Sequence, residues 1–152
     1  MISVHIRVAI LLGGLTTFAG CAQQRVMQQI TAAKATCDTY LSDTRIDPVR
    51  GKVALKPAEV SIQMMIIQEV PAEEEKRALS AFFDAKAICD RTKLEAATQA
   101  EPENVFLLKA AYAKYDQVYA HLYQGNISYG NANQLLQQAH LESVGQYNSV
   151  IQ

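Results

Sequence analysis

The chain has 152 residues, with 14 Lys and Arg against 15 Asp and Glu, so its charge is almost balanced. There is no basic stripe, which argues against a nucleic-acid partner. Tryptophan is absent, which weakens any case for a glycan-stacking site.

Residues 1–20 have the three parts of an export signal. His5 and Arg7 make a short basic start. Val8, Ile10, Leu11, Leu12 and Leu15 form an apolar run, and Ala19-Gly20 supplies the small residues before a cleavage site. The run is shorter than the roughly 20 residues a membrane span needs. Phe18-Ala19-Gly20-Cys21 resembles the lipobox of bacterial lipoproteins, with Phe18 where that family usually has Leu. The resemblance is confined to this segment. It implies cleavage before Cys21, acylation of the Cys21 thiol and amine, and membrane lipid as the first partner. Two or more chains make such anchoring stable where one does not. Ala22, in place of the Asp that tends to hold Gram-negative lipoproteins in the inner membrane, points to the periplasmic face of the outer membrane. The alternatives are the inner membrane, or the outer face of a Gram-positive cell membrane. The chain then divides into a signal, 1–20, and one tethered domain, 21–152. Periodic apolar residues begin at Val26, so the domain is expected close to the bilayer.

The first helix of that domain is predicted over 23–42. Val26, Ile30, Ala33, Cys37 and Tyr40 recur at 4-3-4-3 spacing and make one apolar stripe. Residues 43–57 break the period with Asp47-Pro48 and Arg50-Gly51 turns. This stretch is long for a connection in a small domain and carries Asp43, Arg45, Asp47, Arg50, Lys52 and Lys56. It reads either as a partner-binding loop or as an ordered crossover whose charges satisfy one another. In residues 58–70 Val60, Ile62, Met64 and Ile66 alternate, and Met64 to Ile67 is continuously apolar. With no strand partner elsewhere, a short helix is predicted, buried or at an interface. Pro71 is expected in the first turn of the next helix, with Glu73, Glu74 and Glu75 at its positive end and Leu79, Phe82, Ala85 and Cys89 facing inward. Pro102 opens a fourth segment, in which Val105, Leu108, Tyr112, Tyr115, Tyr119 and Leu122 keep helical spacing for five turns. Gly125 is its expected stop. Ser128 caps the last helix, whose inward stripe is Ala132, Leu136, Ala139, Ser143, Tyr147 and Val150. The expected fold is all-α, an up-and-down bundle of four main helices plus one short helix.

Cys37 and Cys89 both lie on inward stripes, and an oxidising envelope allows them to pair. A disulfide is the leading expectation; two buried free thiols or one reactive thiol are the alternatives. No Cys-x-x-Cys is present, so thiol exchange as a function is not expected. His121 and His140 have no ligand partners in a recognisable metal spacing. Met27 and His140 are the pair a haem-binding bundle would need, but no motif accompanies them, so neither metal nor cofactor is expected. No nucleophile elbow, phosphate loop or His-Glu-x-x-His is found, and an enzyme is not expected.

Two functions remain. The first is a structural or adaptor protein that binds another envelope component, with Arg45, Arg50, Lys52, Met64 and Met65 as the candidate contacts. The second is a binding module for a small amphipathic ligand or peptide, along a groove lined by Tyr112, Tyr115 and Tyr119. Assembly with further copies of the chain is left open.

Overall fold

The computed structural model describes residues 17–150, with side chains from Gln24 onward. Residues 1–16, most of the expected export signal, and the Cys21 side chain lie outside the described residues. The described chain is helical, with no strand; its β-structure is one isolated bridge between Arg50 and Val53. No described helix is long and apolar enough to cross a membrane.

Five α-helices account for most of it: α1 (Thr17–Leu41), α2 (Ile62–Met65), α3 (Glu73–Ala100), α4 (Val105–Tyr123) and α5 (Tyr129–Val150). Short 3-10 turns at Thr44–Val49, Pro57–Glu59 and Pro102–Asn104 join them. The long helices pack neighbour on neighbour in chain order, α1 on α3, α3 on α4 and α4 on α5, and α1 and α5 have no extended contact. The inward stripe of α3 is as expected, with Leu79, Phe82, Ala85 and Cys89 buried. On α1 the buried residues are Ala33, Cys37 and Leu41, and Tyr40 is exposed. Steps of four residues along a 3.6-residue period carry the buried line to Leu41 rather than Tyr40.

Three helix starts differ from expectation: α1 begins at Thr17 rather than 23, and Pro102 lies in a 3-10 turn ahead of α4, which begins at Val105. Pro71 precedes α3 instead of sitting in its first turn; Ala72 is the N-cap, and its N–H donates to the Glu75 carboxylate at 2.8 Å. Gly125 ends α4 at φ +75°, in the left-handed region, and Ser128 Oγ accepts from the Asn131 N–H at 3.2 Å to start α5.

Residues 43–70 are part of the core. Ile46, Val49, Val53 and Ala54 are buried with the helix stripes, and Leu55, Val60 and Ile67 pack against them. Fully buried Asn133 of α5 binds this segment: its Oδ1 accepts from the Ala54 N–H at 2.9 Å, and its Nδ2 lies 2.8 Å from Lys52 O and 3.1 Å from Met64 O. The Tyr119 hydroxyl donates to Ala54 O at 2.7 Å. The first N–H groups of α5 are satisfied by the same segment, Tyr129 by Glu69 O and Gly130 by Ile67 O. Position 130 must be glycine for this approach, because a Cβ there would lie 2.5 Å from Met65 O.

Candidate functional site

The helix ends sort into two groups. The end of α1, the starts of α3 and α5 and the end of α4 meet residues 43–70, which fill the space between them. At the opposite end no such segment intervenes among the described residues, and a groove of about 740 Å³ runs between the helices. Its floor comes from α3 and α4, with Ala96, Ala97 and Ala100 facing Leu107, Leu108 and Ala111. Ile30, Ala33 and Cys37 of α1 form one wall, and His140, Ser143, Val144 and Tyr147 of α5 the other. Leu55 to Ala58 close it at the inner end. The alanines decide the shape: a floor of small side chains keeps the groove deep, where leucines at the same positions would fill it.

Charges sit at its borders. The Asp38 carboxylate is 2.8 Å from Lys56 Nζ and 3.3 Å from Lys34 Nζ, and these two lysines hold it below the usual carboxylate range. Glu101 accepts from the Tyr147 hydroxyl at 2.5 Å and from Asn104, and its pKa is lowered by both. Lys93 also borders the groove and makes no ion pair among the described residues. Lys86 is nearly buried between the groove and a smaller cavity of about 260 Å³. Its ammonium is 2.5 Å from Asp90 and 2.6 Å from Asp116, and stands over the rings of Tyr112 and Tyr119 at 5.5 and 5.9 Å. Burial raises the Asp90 pKa against the pull of Lys86. The two carboxylates and two rings satisfy the ammonium, so Lys86 is a structural cation.

The expected tyrosine set divides. Tyr112 and Tyr115 border the groove, and burial pushes both hydroxyls above their ordinary pKa, which keeps them neutral hydrogen-bond partners. Tyr115 Oη lies 3.5 Å from His140 Nδ1. Tyr119 instead sits in the core: it is fully buried, packs edge-on against Phe82 at 5.0 Å and is committed to Ala54. Tyr147 takes its place in the groove. Helical spacing placed Tyr119 on the same stripe as Tyr112 and Tyr115, but the stripe passes from open groove into packed core along its length. Of the two haem candidates, His140 borders the groove and Met27 is exposed on α1. No cluster of three metal-ligating residues occurs among the described residues.

Cys37 of α1 and Cys89 of α3 are 1% and 3% exposed and both border the groove. They stand here as free thiols, where the sequence led us to expect a bond. Desolvation first, and the Cys37 thiol second, push Cys89 up to about 12.

The candidate partner-binding charges are spent within the chain. Arg45 pairs with Asp43 at 2.6 Å, Arg50 with Asp47 at 2.9 Å while also donating to Leu41 O, and Lys52 with Glu75 at 2.5 Å. Met64 and Met65 are half-buried. The exposed apolar residues of that region are Ile62 (71%), Ile66 (67%) and Val70 (51%). Compared with protein-family models, curated proteins and solved structures, the chain matches none.

Proposed function

We propose that this is an exported lipoprotein, acylated at Cys21, whose domain binds an amphipathic ligand with one long apolar chain in the groove between α1 and α5. The observation that carries this reading is the groove itself: about 740 Å³, lined mainly by alanine, leucine and other apolar side chains. Ligand pockets are mostly apolar clefts of this size with a few placed polar groups. Here those groups are the hydroxyls of Tyr112, Tyr115 and Tyr147, His140, and Lys93 at the border. The four long helices read as an up-and-down bundle whose first and last members do not close on each other.

The position of the anchor fits an apolar chain from the bilayer. The groove lies at the end of the molecule where α1 begins. The α1 backbone is already helical at Cys21, and Ile30 is nine residues further on, about 14 Å at 1.5 Å per residue. An acylated Cys21 would therefore hold the groove beside the membrane surface, with a short stiff tether.

Binding of a fluorescent fatty acid to the Cys21→Ser domain, free of membrane, tests the reading. Saturable one-to-one binding supports it. Ala97→Phe fills the floor at a half-exposed position and is expected to weaken binding at least tenfold, with helix content unchanged. Equal binding by wild type and Ala97→Phe overturns it.

A second reading rests on a separate observation. Ile62, Ile66 and Val70 expose large apolar side chains within nine residues, on a segment held rigid by Asn133 and Gly130. A protein contact there would make the domain an adaptor in the envelope. Crosslinking from residue 62 in intact cells, giving a discrete adduct, supports it.

A further inference from the structure

We propose, resting on the ligand-binding reading above, that the ligand of the groove carries an anionic head on its apolar chain, a carboxylate or a phosphate monoester, and that Lys93 and the Tyr112 hydroxyl bind it. Most charges bordering the groove already have partners. Asp38 is held by Lys56 and Lys34 at 2.8 and 3.3 Å. Asp90, one turn before Lys93 on α3, is bound to Lys86 at 2.5 Å, and Lys86 also takes Asp116 at 2.6 Å. Glu101 accepts from the Tyr147 hydroxyl and from Asn104. Lys93 is the charge left over. It borders the groove, is half-buried, and makes no ion pair or hydrogen bond among the described residues.

Tyr112 supplies a second donor. Its hydroxyl makes no hydrogen bond among the described residues, whereas Tyr115 Oη faces His140, Tyr119 is committed to Ala54 and Tyr147 to Glu101. Burial holds the Tyr112 phenol above its ordinary pKa, so its O–H stays a donor near neutral pH. α3 and α4 run antiparallel, since Phe83 meets Tyr123, Phe82 meets Tyr119 and Lys86 meets Asp116. The Tyr112 ring lies 5.5 Å from Lys86 Nζ, at the level of α3 two turns before Lys93. Side chains of a helix lean toward its N-terminus. Lys93 therefore leans back along the groove toward Tyr112, and Tyr112 leans the other way, toward Lys93. The lining beside them is apolar, with Cys89, Ala96 and Leu108. An ammonium in an apolar cleft is poorly solvated, and hydrogen bonds between charged groups are the strong ones. A carboxylate or phosphate takes a bond from both donors and neutralises Lys93. A neutral head leaves that charge unmet, and a cationic head is repelled by it.

The test is titration calorimetry of the Cys21→Ser protein with dodecanoate, dodecyl phosphate and dodecanol, each below the concentration at which it self-assembles. An anion that binds roughly tenfold or more tightly than dodecanol supports the proposal, and the tighter of the two anions tells a fatty acid from a phosphate monoester. Lys93→Met keeps the apolar stem and removes the charge. It is expected to weaken the anion roughly tenfold or more, with helix content and dodecanol affinity unchanged. Tyr112→Phe removes the second donor and is expected to weaken the anion about fivefold; equal affinity overturns the part assigned to Tyr112. Dodecanol binding as tightly as both anions, or an anion whose affinity Lys93→Met leaves unchanged, overturns the proposal and leaves the groove reading standing. No binding by any of the three overturns the groove reading, and the anionic head with it.

Discussion

The two ends of this molecule are built from the same four helices and are packed in opposite ways. At one end residues 43–70 are inserted between the helices. They contribute Ile46, Val49 and Val53 to the core and are tied by Asn133, Tyr119 and Gly130 to α4 and α5. At the other end the helices run on without an insert, α1 and α5 stay apart, and the space between them is a groove. Helices present only a stripe of apolar surface each. Where a third element lies between them the stripes are satisfied; where none does, apolar surface is left for something else to cover. The packed end positions the helices, and the open end carries the groove proposed for binding.

Breaking this contrast gives effects of graded size. The sequence expectation of a Cys37–Cys89 bond is tested by adding reductant: closing a loop of about 50 residues is worth about 4 kcal/mol, read as a fall in the denaturation midpoint, and no change means two free thiols, as in the structure. Asn133→Ala strikes the packed end. It strands the Ala54 N–H and several carbonyls, which costs about 3 kcal/mol, while groove binding by the folded fraction is retained. Fatty-acid affinity and stability falling together would mean that the two ends are not separable.

A third measurement follows the thiols in the reduced protein. The folded state holds the Cys89 proton up to about pH 12, whereas an unfolded cysteine releases it near pH 8.5. Above about pH 8.5 the unfolded state binds fewer protons, so stability is full below that pH and falls as pH rises toward 12. Cys89→Ala in reduced protein removes this part of the alkaline slope. The smallest stability effects come from exposed positions. Ala97→Phe and Ile62→Asp are each expected to change stability by less than about 0.5 kcal/mol. The first reports on the groove through ligand affinity, and the second on the outer apolar face through loss of a crosslinked adduct.

Much of the helical framework is legible from spacing alone, because burial of one face imposes a 3.6-residue period on any helix. The α3 stripe through Cys89, the Gly125 stop and the Ser128 cap follow from such local rules. Residues 43–57 are different. Their apolar members follow no period, so the burial of Ile46, Val49 and Val53 is invisible until the chain folds back. The same holds for Asn133, a polar residue on an apolar stripe whose partners are about 70 to 80 residues away. Tyr119 and Tyr115 show the limit most clearly. They sit one turn apart on one face and both are buried, yet only Tyr115 also reaches the groove.

What the sequence by itself determines is the helical content, the inward stripe of α3, the cysteine placement and the expectation of an anchor at position 21. These depend on contacts between residues a few positions apart, or on a linear signal. The tertiary structure decides which part of each stripe is covered. That depends on where residues 43–70 lodge between the helices and where they end, and no local spacing encodes the gap they leave.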